Sequence, residues 1–147
     1  MRRLAGFTLI ELMAVIAILG ILGATAIPLY HTIKQRACGA EACRMLRQIL
    51  DGEIIYFLDN DKFFPDVGET IMIFHNDSPS KAEIIQTREA LKLTIPVRHF
   101  LDFTITTMPD QTCMVTISSF GNSFPLFKDG SPSIMGTVDE TGKVDIF

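Results

Sequence analysis

Apolar residues run almost without a break from Phe7 to Tyr30: 18 of these 24 positions are apolar and only Glu11 is charged. As one helix the stretch would be about 36 Å long, enough to cross the roughly 30 Å of hydrocarbon in a bilayer. Past Tyr30 the pattern changes character rather than ending. Ala42, Met45, Leu46, Ile49, Leu50 and Phe57 share one broad helical face, with Arg44, Arg47 and Asp51 opposite and Glu53 intruding on the apolar side. These positions predict one helix over residues 7–58, lipid-compatible in its first half and an amphipathic spine in its second. Gly39 and Gly52 lower its propensity, and a second helix starting after Pro28 is the alternative reading.

Beyond Leu58 the signals shorten. Asp59 to Pro65 is polar and loop-like, residues 70–75 suit a short strand, and Ser80 with Glu83 forms a capping-box pattern ahead of a helix over 82–91. Residues 100–107 and 112–118 read as a hairpin, with Phe103, Ile105 and Thr107 alternating to one face and Cys113, Val115 and Ile117 doing the same. Residues 134–138 and 143–147 form a second hairpin around Asp139-Glu140-Thr141-Gly142. Short hairpins covering the apolar face of a spine helix make an α+β domain with a small antiparallel sheet.

Composition sharpens this picture in two ways. Residues 31–147 hold 49 apolar residues in 117, an ordinary globular share, so the overall 48% is raised by the first segment. Charge is also uneven: residues 31–50 carry a net +3 and residues 51–147 a net −8. A basic collar beside an apolar segment suits a chain standing on a membrane, although a solvated surface gives the same pattern. The acidic balance disfavours a nucleic-acid-binding domain, and no nucleic acid is required as a partner.

The start of the chain has two readings. Met1-Arg2-Arg3, an apolar run and Ala24-Thr25-Ala26 outline a secretory signal, cleaved to leave a soluble exported binding protein beginning at Ile27. The length of the run and the carboxylate of Glu11 within it count against that, because intramembrane charges are costly and usually functional. Gly6-Phe7-Thr8-Leu9-Ile10-Glu11-Leu12-Met13 resembles the N-terminal signature of type IV pilins and type II secretion pseudopilins. The resemblance implies a leader over 1–6, cleaved after Gly6 by a prepilin peptidase that also methylates Phe7. It implies a transmembrane and assembly segment over 7–30, a spine over 31–58 and a head over 59–147. Glu11 would pair with the Phe7 amine of a neighbouring subunit and set the register of a filament. Pairing within one chain is the alternative, since a carboxylate also suits its own helix N-terminus.

Gly20 and Pro28 match the family's helix-weakening pair. Pro28 lacks the N–H that would bond Ala24, and Gly20 costs about 1 kcal/mol of helix propensity relative to Ala. Either a simple kink or partial unwinding in a filament would follow. By the same resemblance the precursor sits in the bacterial inner membrane, N-terminus cytoplasmic and head periplasmic. It is later drawn by an assembly platform into an extracellular pilus or periplasmic filament with other pilins. The positive-inside rule alone would place the head in the cytoplasm; the signature overrides it. The absence of Trp separates the chain from the major pseudopilins, so a pilus subunit is the first reading and a pseudopilin the second.

Of three cysteines, Cys38 and Cys43 lie about 140° apart on the predicted helix and should not bridge each other. Cys113 could pair with either in an oxidising compartment, or all three could stay buried thiols. No metal or cofactor is expected: Asp59, Asp61 and Asp66 lack the glycine and closing glutamate of a calcium loop. His31, His75 and His99 belong to no catalytic pattern, so an enzyme is not expected.

Overall fold

A computed structural model describes residues 7–98 and 100–147. The positions of the expected leader, up to Gly6, and His99 lie outside the described residues. The chain divides into two compact units, the described residues up to Lys34 and Gln35–Phe147.

Helix α1 spans Leu9–Asn60 and contains Pro28. It is unbroken where a second helix was the alternative. In the first unit its large side chains are exposed, from Leu9 through Tyr30 and Ile33. Thr25 and Thr32 turn their hydroxyls back onto the backbone, donating to the Leu22 and Pro28 carbonyls at 3.0 and 3.1 Å. This is how short polar side chains are accommodated on an apolar helix. Among the described residues, α1 is the one helix long and apolar enough to cross a membrane.

The second unit holds the core. Strands β1 (Thr70–Ile73), β2 (Leu101–Thr107), β3 (Cys113–Ser119), β4 (Ser133–Val138) and β5 (Val144–Ile146) form one antiparallel sheet in chain order. Helix α2 (Ala82–Leu91) lies between β1 and β2 in the chain. The predicted alternation is present: Leu101, Phe103, Ile105 and Thr107 are buried on β2, and Cys113, Val115, Ile117 and Ser119 on β3. Register places Ile73 beside Phe103 and Phe103 beside Ile117. Against this face the spine part of α1 buries Cys38, Ala42, Met45, Leu46, Ile49, Leu50 and Glu53. That is the α+β pilin fold: a long N-terminal helix whose amphipathic half carries a small antiparallel sheet.

Two glycines mark where elements approach closely. A Cβ on Gly136 of β4 would lie 2.8 Å from Leu50 Cδ1, so the leucine side chains of the helix pack directly on the strand backbone there. A Cβ on Gly39 would run into the Leu126 carbonyl. Gly39→Ala should therefore destabilise the head by about 1–3 kcal/mol through overpacking, although alanine is the better helix former by about 1 kcal/mol. A lower midpoint of chemical denaturation is the expected result, and an unchanged or higher one would contradict the contact.

The start of α2 differs from the sequence expectation. Lys81, not Ser80, holds the N-cap position, and no side chain caps the helix. The Ser80 hydroxyl pairs instead with that of Ser78 at 2.9 Å. Lys81 is tied by its ammonium group to Asp77 at 2.9 Å and to the Met72 carbonyl at 3.2 Å. Those bonds to β1 and its following turn fix the chain one residue later than the capping-box pattern requires.

Candidate assembly site

The helix begins where the charged exception in the apolar run sits. Thr8 precedes the first helical residue, and its carbonyl accepts from the Leu12 N–H at 3.2 Å, the first bond of the helix. Its hydroxyl donates to Glu11 Oε2 at 2.7 Å, and the Thr8 N–H donates to the same oxygen at 2.9 Å. In return the Thr8 hydroxyl oxygen accepts from the Glu11 N–H at 3.3 Å. This is a reciprocal capping box, satisfying N–H groups that otherwise have no partner at a helix start.

The box makes Thr8 a member of the site that sequence reasoning did not single out. The signal was present: Thr8-Leu9-Ile10-Glu11 is the T-x-x-E pattern directly before an apolar run. It also shows what holds Glu11 in the single chain. The carboxylate is satisfied by Thr8 while its macrodipole interaction is kept. Phe7 and Leu9 are each 76% exposed, and Ile10 nearly as much. Gly6, the other half of the expected cleavage site, lies outside the described residues. Gly20 stands in open helix, where an added Cβ would meet nothing within 4 Å, and Pro28 lies within continuous α1.

The other sequence-derived candidates fall elsewhere. No disulfide joins the cysteines. Cys113 lies in the core with its thiol 3.9 Å from the Phe64 carbonyl and beside the Glu53 carboxyl. Glu53 is ten residues beyond Cys43 on α1, about 15 Å along the axis, whereas bridged Cα atoms lie about 6 Å apart. The partners offered to Cys113 therefore sit too far back along the helix. Cys43 is half-buried beside Leu126 and Phe127, in a shallow groove next to Gln35, which donates to the Phe127 carbonyl at 2.6 Å.

His75 has a structural partner. Asp102 Oδ1 accepts from the His75 N–H at 2.7 Å and lies 3.0 Å from its Nδ1, while Oδ2 accepts from the Gly121 N–H at 3.1 Å. One carboxylate thus ties the end of β1 to β2 and to the turn at Phe120–Asn122. Among the described residues no group of three or more acidic, histidine or cysteine side chains is placed to hold a metal ion.

Comparison with known proteins bears on the same N-terminal stretch. A family model described as the prokaryotic N-terminal methylation motif matches residues 1–27, which contain the Thr8–Glu11 box. The chain is also 41% identical over 61 residues to a type IV major pilin protein, PilA, of Myxococcus xanthus. Over this N-terminal part the chain is similar to type IV pilins. The match to PilA covers 42% of the chain and 28% of the relative. A second relative, type IV major pilin protein PilE1 of Neisseria gonorrhoeae, is 45% identical over 58 residues, covering 40% of the chain and 35% of PilE1. The chain thus spans about a third of the length of the curated relatives it matches. No solved structure matches it.

Proposed function

We propose that this chain is a structural subunit of a type IV pilus-like filament, held in the inner membrane before assembly and polymerised through its N-terminal helix. The observation that carries the reading is the methylation motif over residues 1–27, placed on a helix that opens with a Thr8–Glu11 box and exposes its apolar side chains. An exposed apolar helix of this length needs lipid or other helices around it. A membrane supplies the first environment and a bundle of identical helices the second.

In this reading a prepilin peptidase cuts after Gly6 and methylates Phe7. The new α-amino group, with a reference pKa of about 8, is then mostly cationic at neutral pH. Glu11 exchanges its contacts with Thr8 for the Phe7 amine of a neighbouring subunit, which sets axial register and draws the subunit towards the filament. An assembly platform in the inner membrane, with other pilins, accepts it there. The stretch from Gly20 to Pro28, intact in the single chain, unwinds in part as the helices bundle. The head forms the outer surface, and its role is mechanical rather than catalytic.

Mass spectrometry of the mature N-terminus tests this most directly. The expected mature chain begins with N-methylated Phe7 and is recovered from sheared surface or periplasmic filaments. A mature chain beginning at Ile27 would instead establish a soluble exported protein and end the filament reading.

A further inference from the structure

Glu53 is the one acidic side chain that the spine helix turns into the core, and it is fully buried. Its Oε2 accepts from the Phe64 N–H at 3.0 Å, and its Oε1 has no hydrogen-bond partner. The surroundings come from three directions. From β3, the Cys113 thiol lies beside the carboxyl and also 3.9 Å from the Phe64 carbonyl. From β2, Thr107 stands opposite Cys113 in the register, buried, with its hydroxyl beside the thiol. From the loop after α1, Phe63 and Phe64 close over the group, Phe63 stacking on Phe57 and Phe64 edge-on to Tyr56.

A carboxyl in such a place is held neutral by its surroundings. Burial raises the Glu53 pKa to about 8, against the lowering effects of the Phe64 N–H and the Cys113 thiol. Cys113 is the titratable group that faces it from the sheet, and burial beside Glu53 pushes that thiol well above its usual range. On the covering loop Asp61, Lys62 and Asp66 are exposed, with Lys62 and Asp66 paired at 2.6 Å. No cation among these groups is aimed at the buried carboxyl to offset its charge.

We propose that Glu53 is a proton-operated latch that fastens the loop around Phe64 over the Cys113 thiol and releases both when the carboxyl ionises. The neutral carboxyl satisfies the Phe64 amide without placing a charge in the core. The carboxylate keeps that bond but sets a charge out of water with only the weakly donating Cys113 thiol beside its other oxygen, a cost relieved by letting the loop lift. The latch lies wholly within Gln35–Phe147 and operates whether or not the chain forms a filament.

The sign follows from linkage. The closed loop holds the Glu53 proton more tightly than an open one, in which the carboxyl regains its ordinary value of 4.5. Opening therefore becomes roughly tenfold more favourable per pH unit from about 4.5 to about 8, and is level above that. The closed state is most secure in acid.

The test uses the full-length chain in detergent, carrying Cys38→Ala and Cys43→Ser so that Cys113 is the one thiol. Maleimide labelling under native conditions is compared with the same chain carrying Glu53→Gln. Both chains share the intrinsic pH dependence of thiolate formation, so their rate ratio isolates the carboxyl. Between pH 5.5 and 8 the labelling rate of the parent, divided by that of the Glu53→Gln chain, should rise by about a hundredfold, then level. A ratio that does not change with pH overturns the latch. So does labelling that keeps pace with exchange of the Phe103 and Val115 amides, because that would be global unfolding. If Glu53→Gln does not fold, the Phe64 amide of the parent chain decides: its protection factor should fall through the same window, and constant protection overturns the proposal.

Discussion

Replacing Glu11 by alanine is expected to leave the precursor cleaved at the Gly6–Phe7 bond but to reduce recoverable filaments by more than tenfold. The cleavage site and the apolar run are untouched, so processing and membrane insertion continue; removing a charge from an apolar helix favours insertion. What is lost is the group proposed to meet the neighbouring Phe7 amine, leaving each new subunit with an uncompensated cation. Two further variants separate this role from capping. Glu11→Gln retains a side chain able to reach the Thr8 N–H, so the box persists without its charge. Filament yield should still fall. Thr8→Val removes the hydroxyl that donates to Glu11 Oε2 at 2.7 Å and leaves the carboxylate; filaments should form at near-normal yield from a helix that frays at its first turn. Quantified pilin in sheared fractions, against total cleaved pilin, gives the readout. Wild-type yield from Glu11→Ala would sink the proposed role, and loss of cleavage would move Glu11 to peptidase recognition.

Phe103→Ala should remove much of the stability that holds the fold of the head. Phe103 is among the largest fully buried side chains, at the middle of β2 with Ile73 on one side and Ile117 on the other. Removing a buried phenylalanine costs about 3–5 kcal/mol in transfer and cavity terms. A domain of this size has about 5–15 kcal/mol in total, so much of the stability is forfeited. Chemical denaturation of the full-length protein should show a much lower midpoint with little change in slope, and cells should hold less of the subunit. The contrast is Phe147→Ala at a side chain 76% exposed, where a change within about 0.5 kcal/mol is expected. Equal losses at the two positions would contradict the packing.

The sequence was informative wherever one repeat decides one face. The 3.6-residue period placed Ala42, Met45, Leu46, Ile49 and Leu50 together, and all five are buried on α1. The two-residue period separated Phe103, Ile105 and Thr107 from their neighbours, and the register of β2 and β3 follows it. Capping chemistry was readable too, but only as a pattern: T-x-x-E at Thr8–Glu11 forms its box, while the equally plausible Ser80–Glu83 does not. The second fails because Lys81 is drawn to Asp77 and the Met72 carbonyl, contacts that depend on where β1 lies.

Glu53 shows the same boundary within a single side chain. Its sector on the helix followed from its position, and the apolar residues around it made it an exception worth marking. Nothing nearby in the chain indicated that the Phe64 amide and the Cys113 thiol would meet it, or that one of its oxygens would be left without a partner. The pair of glycines behaves alike: Gly39 and Gly52 read as weak points of a helix, whereas Gly39 is where the Leu126 carbonyl comes too close for any side chain. Periodicity by itself determined the long helix, the hairpins, the side of each that is buried and the charged exception at Glu11, because those depend on spacing along one element. Which groups meet across elements was decided by the tertiary structure alone: the isolation of Cys113 from Cys38 and Cys43, the setting of Glu53, and the Asp102 tie to His75. Those contacts depend on how separate elements are brought together, which no local repeat records.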